Sequence, residues 1–212
     1  MVSSLEAFEA AFAACPLIAI LRGVQPDEVV AIGQELVAAG FSLIEVPMNS
    51  PAPLDSVRRL ASAIGDRALI GAGTVLTVDQ VSQVQEAGGQ MIISPNTNVK
   101  VIRTSAALGL VSLPGFATPS EGLAALDAGA TALKLFPAEA ASPIVLKAMR
   151  AIMPATVRVL PVGGIVPDGM TAWTEAGAAG FGLGSALYRP GMAVAEIGER
   201  ARTFVAAIKR GA

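Results

Sequence analysis

Short apolar runs alternate along the chain with longer segments of helical pattern. A recurring phrase connects them: a helical segment ends in Ala-Gly or Leu-Gly and a strand-length apolar run follows, as in LVAAGFSLIEVP, VQEAGGQMIISP, AALGLVSLPG, ALDAGATALKLFP and TEAGAAGFGLG. Glycine commonly ends helices because it adopts the left-handed conformation without a steric penalty. The phrase therefore predicts a helix that closes at glycine and leads directly into a buried strand.

With three further apolar runs, eight strands are predicted, beginning near residues 17, 42, 68, 91, 110, 131, 157 and 180. Their spacing of about 20 to 26 residues accommodates a strand, a helix and two short loops. Eight such units predict an α/β fold, a (β/α)8 TIM barrel with an N-terminal helix in MVSSLEAFEAAFAACP. A doubly wound open sheet is the alternative, because periodicity fixes the alternation of elements better than the closure of the sheet.

Domain organisation and partners follow from composition. The chain contains no linker, low-complexity segment or block of charge, so a single barrel domain over residues 1–212 is expected. Hydrophobic residues make up 53% of the chain, a content that parallel sheets buried on both faces explain. Gly and Pro interrupt the longest uncharged runs, so no membrane span is predicted. A net charge of −2 offers no basic field for a nucleic-acid backbone.

The cellular location is predicted from one cysteine and from the N-terminal charges. Cys15 is the only cysteine, which excludes an intrachain disulfide and is typical of a reducing cytoplasm. The N-terminal segment carries Glu6 and Glu9 but no Lys or Arg, so it lacks the basic start of a secretory signal. A cytoplasmic protein is therefore expected.

The absence of histidine narrows the possible chemistry. His-ligated metal sites and Ser-His or Cys-His catalytic groups are excluded together. Acid–base chemistry must then use Glu, Asp, Lys, Tyr or water. A carboxylate-bound Mg²⁺ stays possible in principle, but no tight acidic cluster indicates one, so no metal and no cofactor is predicted.

In a barrel, the groups of the active site lie at the carboxyl ends of the strands or in the loops that follow them. The polar and glycine residues that interrupt the apolar runs fall at these places. They are Arg22, Glu45, Asn49, Thr74, Lys134, Gly163, Gly164, Gly184 and Ser185.

Lys134 lies in the middle of the apolar run ATALKLFPAEA, where an ammonium is costly to desolvate. One explanation is structural: the lysine pairs with Glu45 or extends its alkyl stem to the barrel rim. The other is chemical. A lysine in a dry pocket near a second cation such as Arg22 is more often a neutral amine, which attacks carbonyl groups and forms a Schiff base.

Glu45 interrupts FSLIEVP in the same way. It can serve as the ion-pair partner of a buried cation. In a protein without histidine it is also the natural proton carrier, because burial raises the pKa of a carboxyl group toward neutrality. Both interpretations stay open at this point.

Two glycine segments, PVGGIVPDG and GFGLGSALY, follow the last two predicted strands. Each alone is typical of a tight turn. Together they occupy the place where barrels commonly bind phosphate through backbone N–H groups, and Ser185 adds a hydroxyl donor. A phosphorylated small molecule is therefore the expected substrate.

Arg22 and Thr74 are candidates for a carboxylate site. An arginine that points into the barrel mouth binds a carboxylate through two nitrogens, although a rim arginine is more commonly solvated or paired. Thr74 either donates to the same carboxylate or caps a helix that begins near Leu76.

The motifs PLIAILRG, EVPMNSP, LIGAGTVL, ISPN, LPGFATPSE, ALKLFPAE, VGGI and GLGS resemble, in order and over nearly the whole chain, the 2-keto-3-deoxy-6-phosphosugar acid aldolases. The resemblance implies a class I aldolase, a (β/α)8 barrel assembled as a homotrimer. It implies cleavage of a six-carbon phosphorylated keto-acid to pyruvate and D-glyceraldehyde 3-phosphate, without a cofactor.

By this resemblance, Lys134 forms the Schiff base, Glu45 moves protons through bound water, and Phe136 packs near the pyruvate carbons. Arg22 and Thr74 hold the carboxylate end of the substrate, while the Gly163–Gly164 and Gly184–Ser185 pairs hold the phosphate.

The substrate epimer is predicted from two positions at which this chain differs from the gluconate-type members of the family. Gluconate-type members of the family have Arg where this chain has Asn49 and Thr where it has Val162. The chain therefore resembles the 6-phosphogalactonate type, with the gluconate type or dual specificity as alternatives, because an apolar wall such as Val162 rejects isomers only weakly. A phosphosugar isomerase or epimerase barrel and a non-catalytic phosphate-binding barrel are remoter hypotheses.

Overall fold

The structure, a computed structural model, describes residues 3–210. The predicted domain limits at 1 and 212, and the first two residues of the predicted N-terminal helix, lie outside the described residues. Helix α1 covers Ser4–Ala14 and begins with a capping box, in which Ser3 and Glu6 each accept a backbone N–H of the other. This arrangement satisfies two of the otherwise unpaired groups at a helix start.

Strands and helices alternate through the described residues. The strands are β1 Leu17–Ile20, β2 Leu43–Pro47, β3 Leu69–Gly73, β4 Met91–Ile93, β5 Val111–Leu113, β6 Gly115–Phe116, β7 Leu133–Leu135, β8 Val159–Pro161 and β9 Phe181–Leu183. The further helices are α2 Val29–Ala38, α3 Pro53–Ile64, α4 Val78–Glu86, α5 Val99–Ala107, α6 Pro119–Asp127, α7 Pro143–Arg150, α8 Met170–Glu175 and α9 Val194–Arg210, with 3₁₀ turns at Ala138–Ala140 and Pro167–Gly169.

The predicted helix-to-strand phrase is confirmed by backbone conformation. In all five phrases the glycine that follows the helix has a positive φ, between 69° and 105°: Gly40, Gly88, Gly109, Gly129 and Gly177. Residues with a Cβ rarely adopt this conformation, so glycine ends each helix where the chain turns back into the sheet. Every predicted strand start lies within two residues of an observed one.

The strands are parallel wherever they pair in residues 3–210. One sheet has the order β5-β4-β3-β2-β1-β9, and a second has the order β6-β7-β8. The fifth predicted strand is divided in two at Pro114, since proline has no N–H to donate to a ladder. The α/β fold with parallel strands is thus confirmed.

Side chains from the strands pack into two separate apolar layers. The outer layer contains alternate strand residues such as Ile44 and Leu133 together with the helices. The inner layer contains the residues between them, such as Leu43 and Ala132, and it also includes Phe8 and Phe12 of α1. Because strand side chains alternate between faces, Glu45 and Lys134 belong to the inner side, two residues beyond Leu43 and Ala132.

Candidate active site

A cavity of about 320 Å³ opens at the carboxyl ends of the strands. Eight of the eleven residues predicted for the site line this cavity: Arg22, Lys134, Phe136, Val162, Gly163, Gly164, Gly184 and Ser185. The other three are Glu45, Asn49 and Thr74. Glu45 lies deeper, whereas Asn49 and Thr74 contact the Arg22 side chain. Strands far apart in the sequence therefore bring the predicted residues to one end of the fold.

Lys134 lies at the centre of β7, and the residue is only 5% exposed. Its Nζ is 4.7 Å from the centre of the Phe136 ring, which lines the same cavity. Burial lowers the pKa of the Lys134 ammonium. The negative charge of Glu45 opposes that shift, and the positive charge of Arg22 adds to it. The amine is consequently neutral more often than a lysine in water.

Glu45 lies at the centre of β2 and is 1% exposed. Its carboxylate packs against Gly73 on the neighbouring strand, and any Cβ at Gly73 would collide with it. The Oε2 atom is buried and forms no hydrogen bond with the described residues. Burial raises the pKa of the Glu45 carboxyl, against the opposing charges of Lys134 and Arg22. Gly73 thus makes room for a buried carboxylate oxygen that no donor within residues 3–210 satisfies.

Lys134 and Glu45 do not form an ion pair. No nitrogen of a basic side chain among residues 3–210 lies within 4.0 Å of the Glu45 carboxylate. Both side chains line a small space of about 10 Å³, which shares Ile20, Val162 and Gly182 with the larger cavity. The structural explanation of Lys134 as the ion-pair partner of Glu45 is therefore not realised in the structure.

Arg22 is held at the cavity by two residues from other strand ends. Its Nη1 donates to Asn49 Oδ1 at 2.6 Å and to Thr74 Oγ1 at 3.4 Å. Asn49 follows β2 and Thr74 follows β3, so three adjacent strands fix one guanidinium. These bonds use a single nitrogen, and the planar guanidinium keeps further N–H groups for an anion.

The helix expected near Leu76 begins two residues later, and Thr74 does not cap it. Helix α4 begins at Val78, and Thr77 is its cap, with its side chain accepting the Gln80 N–H. Thr74 instead has a φ of 55°, which is rare for a β-branched residue. Strained backbone of this kind is concentrated at functional sites, where the surrounding structure holds it.

The two glycine segments form adjacent walls of the cavity. Gly163 and Gly164 have φ values of 114° and 63°, so the chain turns sharply after β8. The N–H groups of Gly164, Ser185 and Ala186 donate to no protein acceptor within residues 3–210. Unpaired amides that line one cavity are suitable donors for an anion.

Two charged residues of the cavity were missed by the sequence analysis, Glu139 and Arg189. The Glu139 side chain packs over Gly163 and Gly164, and a Cβ on Gly163 would overlap its carboxylate. Arg189 Nε donates to the Ser185 carbonyl at 3.0 Å. Both lie beyond the strand ends, but each had a signal: Glu139 belongs to the quoted motif ALKLFPAE, and Arg189 follows Ser185 by one helical turn.

Residues 3–210 contain neither a metal-ligand cluster nor a helix able to span a membrane. No group of three or more Cys, Asp or Glu side chains in that range is arranged to hold a metal ion. No helix there has both the length and the apolar composition needed to cross a bilayer.

Comparisons with known proteins agree with the geometry. The family described as KDPG and KHG aldolase matches residues 8–209. The chain is 45% identical to "2-dehydro-3-deoxy-6-phosphogalactonate aldolase" of Escherichia coli (strain K12), over 92% of this chain and 95% of the relative.

Solved structures show the same relationship. A structure described as "Native KDPGal structure" has a TM-score of 0.91 at 45% identity, and the match covers 92% of this chain and 95% of that one. KDPG aldolase from Legionella pneumophila, solved with pyruvate captured as a covalent carbinolamine intermediate, has a TM-score of 0.82 at 27% identity, over 96% and 98% of the two chains. With a family match over nearly its whole length, the chain belongs to the KDPG and KHG aldolase family.

Proposed function

We propose that this protein is a class I aldolase that cleaves 2-dehydro-3-deoxy-6-phosphogalactonate to pyruvate and D-glyceraldehyde 3-phosphate. The observation that carries the proposal is a buried lysine with a lowered pKa, Lys134, at the inner end of a cavity that has a guanidinium and a set of free amides on its walls. The 45% identity to a galactonate-type relative over 92% of the chain supports the choice of substrate.

Lys134 is the proposed nucleophile. Its neutral amine attacks the C2 ketone of the substrate, and the carbinolamine loses water to form a protonated imine. Loss of the proton from the C4 hydroxyl then breaks the C3–C4 bond, and the bonding electrons move into the imine. The aldehyde leaves and an enamine stays on Lys134. Protonation at C3 and hydrolysis release pyruvate and return the free amine.

Glu45 is the proposed proton carrier for these steps. Its raised pKa lets the carboxyl group exist in both protonation states closer to neutral pH than an exposed glutamate does. The space of about 10 Å³ that it shares with Lys134 is near the size that one water molecule needs, so a single water can relay protons between them.

The two ends of the substrate are proposed to bind on opposite sides of Lys134. Arg22, oriented by Asn49 and Thr74, binds the carboxylate of the keto-acid by donating hydrogen bonds to it. The backbone N–H groups of the Gly163–Gly164 and Gly184–Ser185 turns bind the phosphate. Phe136, against the Lys134 amine, provides an apolar surface for the three carbons that become pyruvate.

Discrimination between the C4 epimers is proposed to be incomplete. Val162 is 7% exposed and lines the cavity beside the glycine pair, but it cannot hydrogen-bond a hydroxyl group. A site that merely lacks a bond to one epimer rejects it weakly. The gluconate epimer is therefore the expected second substrate, and kcat/KM for the two epimers measures the preference.

Trapping the imine tests the proposal directly. Borohydride added in the presence of pyruvate should attach a carboxyethyl group to Lys134, which peptide mass mapping can locate. Lys134→Met should not be labelled, whereas Lys147→Met, a control at a lysine of α7 outside the cavity, should be labelled like the parent. Folded parent protein that cleaves neither epimer and shows no label at Lys134 would instead favour an isomerase-type barrel or a binding protein.

The architecture around this site is proposed to be one closed (β/α)8 barrel. Backbone bonds connect the two sheets at both junctions: Lys134 N–H to the Pro114 carbonyl at 2.9 Å, and Ala179 N–H to the Val159 carbonyl at 2.9 Å. The sequential strand order also lacks the reversal of a doubly wound sheet. Assembly as a homotrimer stays a prediction.

A further inference from the structure

The charges around the cavity are unequally placed. Arg22 is bonded to Asn49 and Thr74 on the side proposed for the carboxylate, and Lys134 lies at the buried end. The side proposed for the phosphate has backbone amides, the Ser185 hydroxyl and the carboxylate of Glu139. A phosphate monoester carries a charge of about −1.5 to −2 at pH 7. Neutral amides beside a carboxylate balance that negative charge poorly.

Arg189 is the cation on that side. It lines the same cavity, and its Nε donates to the Ser185 carbonyl at 3.0 Å. The turn that begins at Gly184 creates this contact. The Gly184 carbonyl accepts the N–H groups of Leu187 and Tyr188, and this turn places Arg189 one helical turn beyond Ser185. The guanidinium is thereby fixed next to an unpaired amide.

The rest of the Arg189 guanidinium is free to bind. No carboxylate in residues 3–210 lies within 4.0 Å of it, although Glu139 lines the same cavity. The side chain is exposed, so an incoming anion does not need to displace a protein partner. A guanidinium held through Nε still presents its two terminal nitrogens, the arrangement that binds phosphate oxygens in pairs.

We propose that Arg189 binds the phosphate of the substrate and is the main source of the preference for phosphorylated over unphosphorylated substrates. This inference rests on the proposed function, because it assigns a further residue to the same substrate. Arg189 supplies the positive charge, while the N–H groups of Gly164, Ser185 and Ala186 donate hydrogen bonds that orient the phosphate.

The test is aldol addition of pyruvate to D-glyceraldehyde 3-phosphate or to D-glyceraldehyde. Arg189→Ala should raise KM for the phosphorylated aldehyde roughly 10- to 100-fold, the range for a hydrogen bond to a charged group. Its kinetics with D-glyceraldehyde should be those of the parent. Arg103→Ala removes an equal charge from an exposed position on α5 outside the cavity, and it should leave both aldehydes unaffected.

Two more variants separate charge from support of the turn. Arg189→Lys keeps the charge and should recover part of the lost affinity, whereas Arg189→Gln can still donate to the Ser185 carbonyl but should behave like Arg189→Ala. The parent KM for D-glyceraldehyde 3-phosphate should also rise with salt, and this rise should be smaller in Arg189→Ala.

Several outcomes would overturn the inference. A KM in Arg189→Gln equal to the parent value would assign Arg189 a supporting role only, and an equal loss for both aldehydes would do the same. Unchanged KM values in Arg189→Ala would remove it from the site. Failure of the proposed function is recognised separately, because the parent would then give neither turnover nor pyruvate trapping at Lys134.

Discussion

The two ends of the strand set differ in how their charged side chains are paired. At the amino end, Arg158 donates to both carboxylate oxygens of Glu9 at 2.6 Å. Its guanidinium also lies over the rings of Phe12 and Phe8, at 4.8 and 5.8 Å from their centres. At the carboxyl end, Glu45 is more deeply buried than Glu9, yet it has no ion pair, and its Oε2 has no hydrogen bond with the described residues.

The pKa shifts of the two acids have opposite signs. Hydrogen bonding to Arg158 lowers the pKa of Glu9, whereas burial raises the pKa of Glu45. An acid with a lowered pKa stabilises the folded protein when it is ionised. An acid with a raised pKa destabilises the folded protein when it is ionised. The amino end thus favours stability, and the carboxyl end holds an acid and an amine whose pKa shifts suit the proposed mechanism.

The largest expected effect comes from removing the amine. Lys134→Met keeps the length of the side chain without its charge, so turnover should fall by on the order of 10⁴-fold or more, since no other group forms the imine. Because burial disfavours the Lys134 ammonium, the variant should unfold at a temperature equal to or above that of the parent. Coupled pyruvate detection and a thermal scan measure the two quantities.

The control for this prediction is Lys147→Met on α7. It removes the same chemical group from a helix of the outer layer and should leave kcat/KM unchanged. Turnover by Lys134→Met within tenfold of the parent would contradict the nucleophile assignment, and a large loss of stability would show that the lysine is a structural group.

Removing the acid should have a smaller but still large effect. Glu45→Gln preserves the shape of the side chain beside Gly73 and abolishes proton transfer, so kcat should fall by about 10²- to 10⁴-fold. Imine trapping should slow as well. Asp55→Asn, at a partly exposed position on α3, is the matched control and should keep parental turnover.

The same variant has a defined dependence of stability on pH. The folded pKa of Glu45 lies above the unfolded value of about 4.3, so the folded state binds more protons and the parent loses stability as pH rises from the unfolded pKa through the folded one. Glu45→Gln removes this loss. Denaturant unfolding should show a gain in stability at pH 7 that disappears below about pH 4, and a gain independent of pH would contradict the assigned cause.

The alternation of elements was predictable because its causes are local. A glycine that closes a helix and an apolar run of strand length are each properties of a few neighbouring residues, and five such glycines have the expected conformation. The division of a strand at Pro114 also has a local cause in the missing N–H, but the apolar run around it conceals the break. Closure of the sheet depends on backbone contacts between distant segments. The periodicity of the sequence gives no information about such contacts.

The site residues divide in the same way. Glu45 and Lys134 are conspicuous because they break apolar runs that the fold buries. Arg189 and Glu139 break no apolar run, since they lie in turns where charged residues are ordinary, and their place in the site is seen from the packing of those turns against the cavity. The role of Gly73 was likewise concealed, because its importance comes from a carboxylate on the neighbouring strand.

The smallest expected effect lies at the amino end. Arg158→Ala removes a partly exposed ion pair and its contacts with two rings, so the free energy of unfolding should fall by about 1 kcal/mol at neutral pH. The part of this loss due to ionised Glu9 should vanish as pH falls below about 4, the reverse of the Glu45 behaviour. Because Arg158 lies at the opposite end from Lys134, kcat/KM measured below the unfolding temperature should stay within twofold of the parent. A catalytic loss without a stability loss would mean that the two ends are coupled, and the division between a stabilising end and a reactive end would fail.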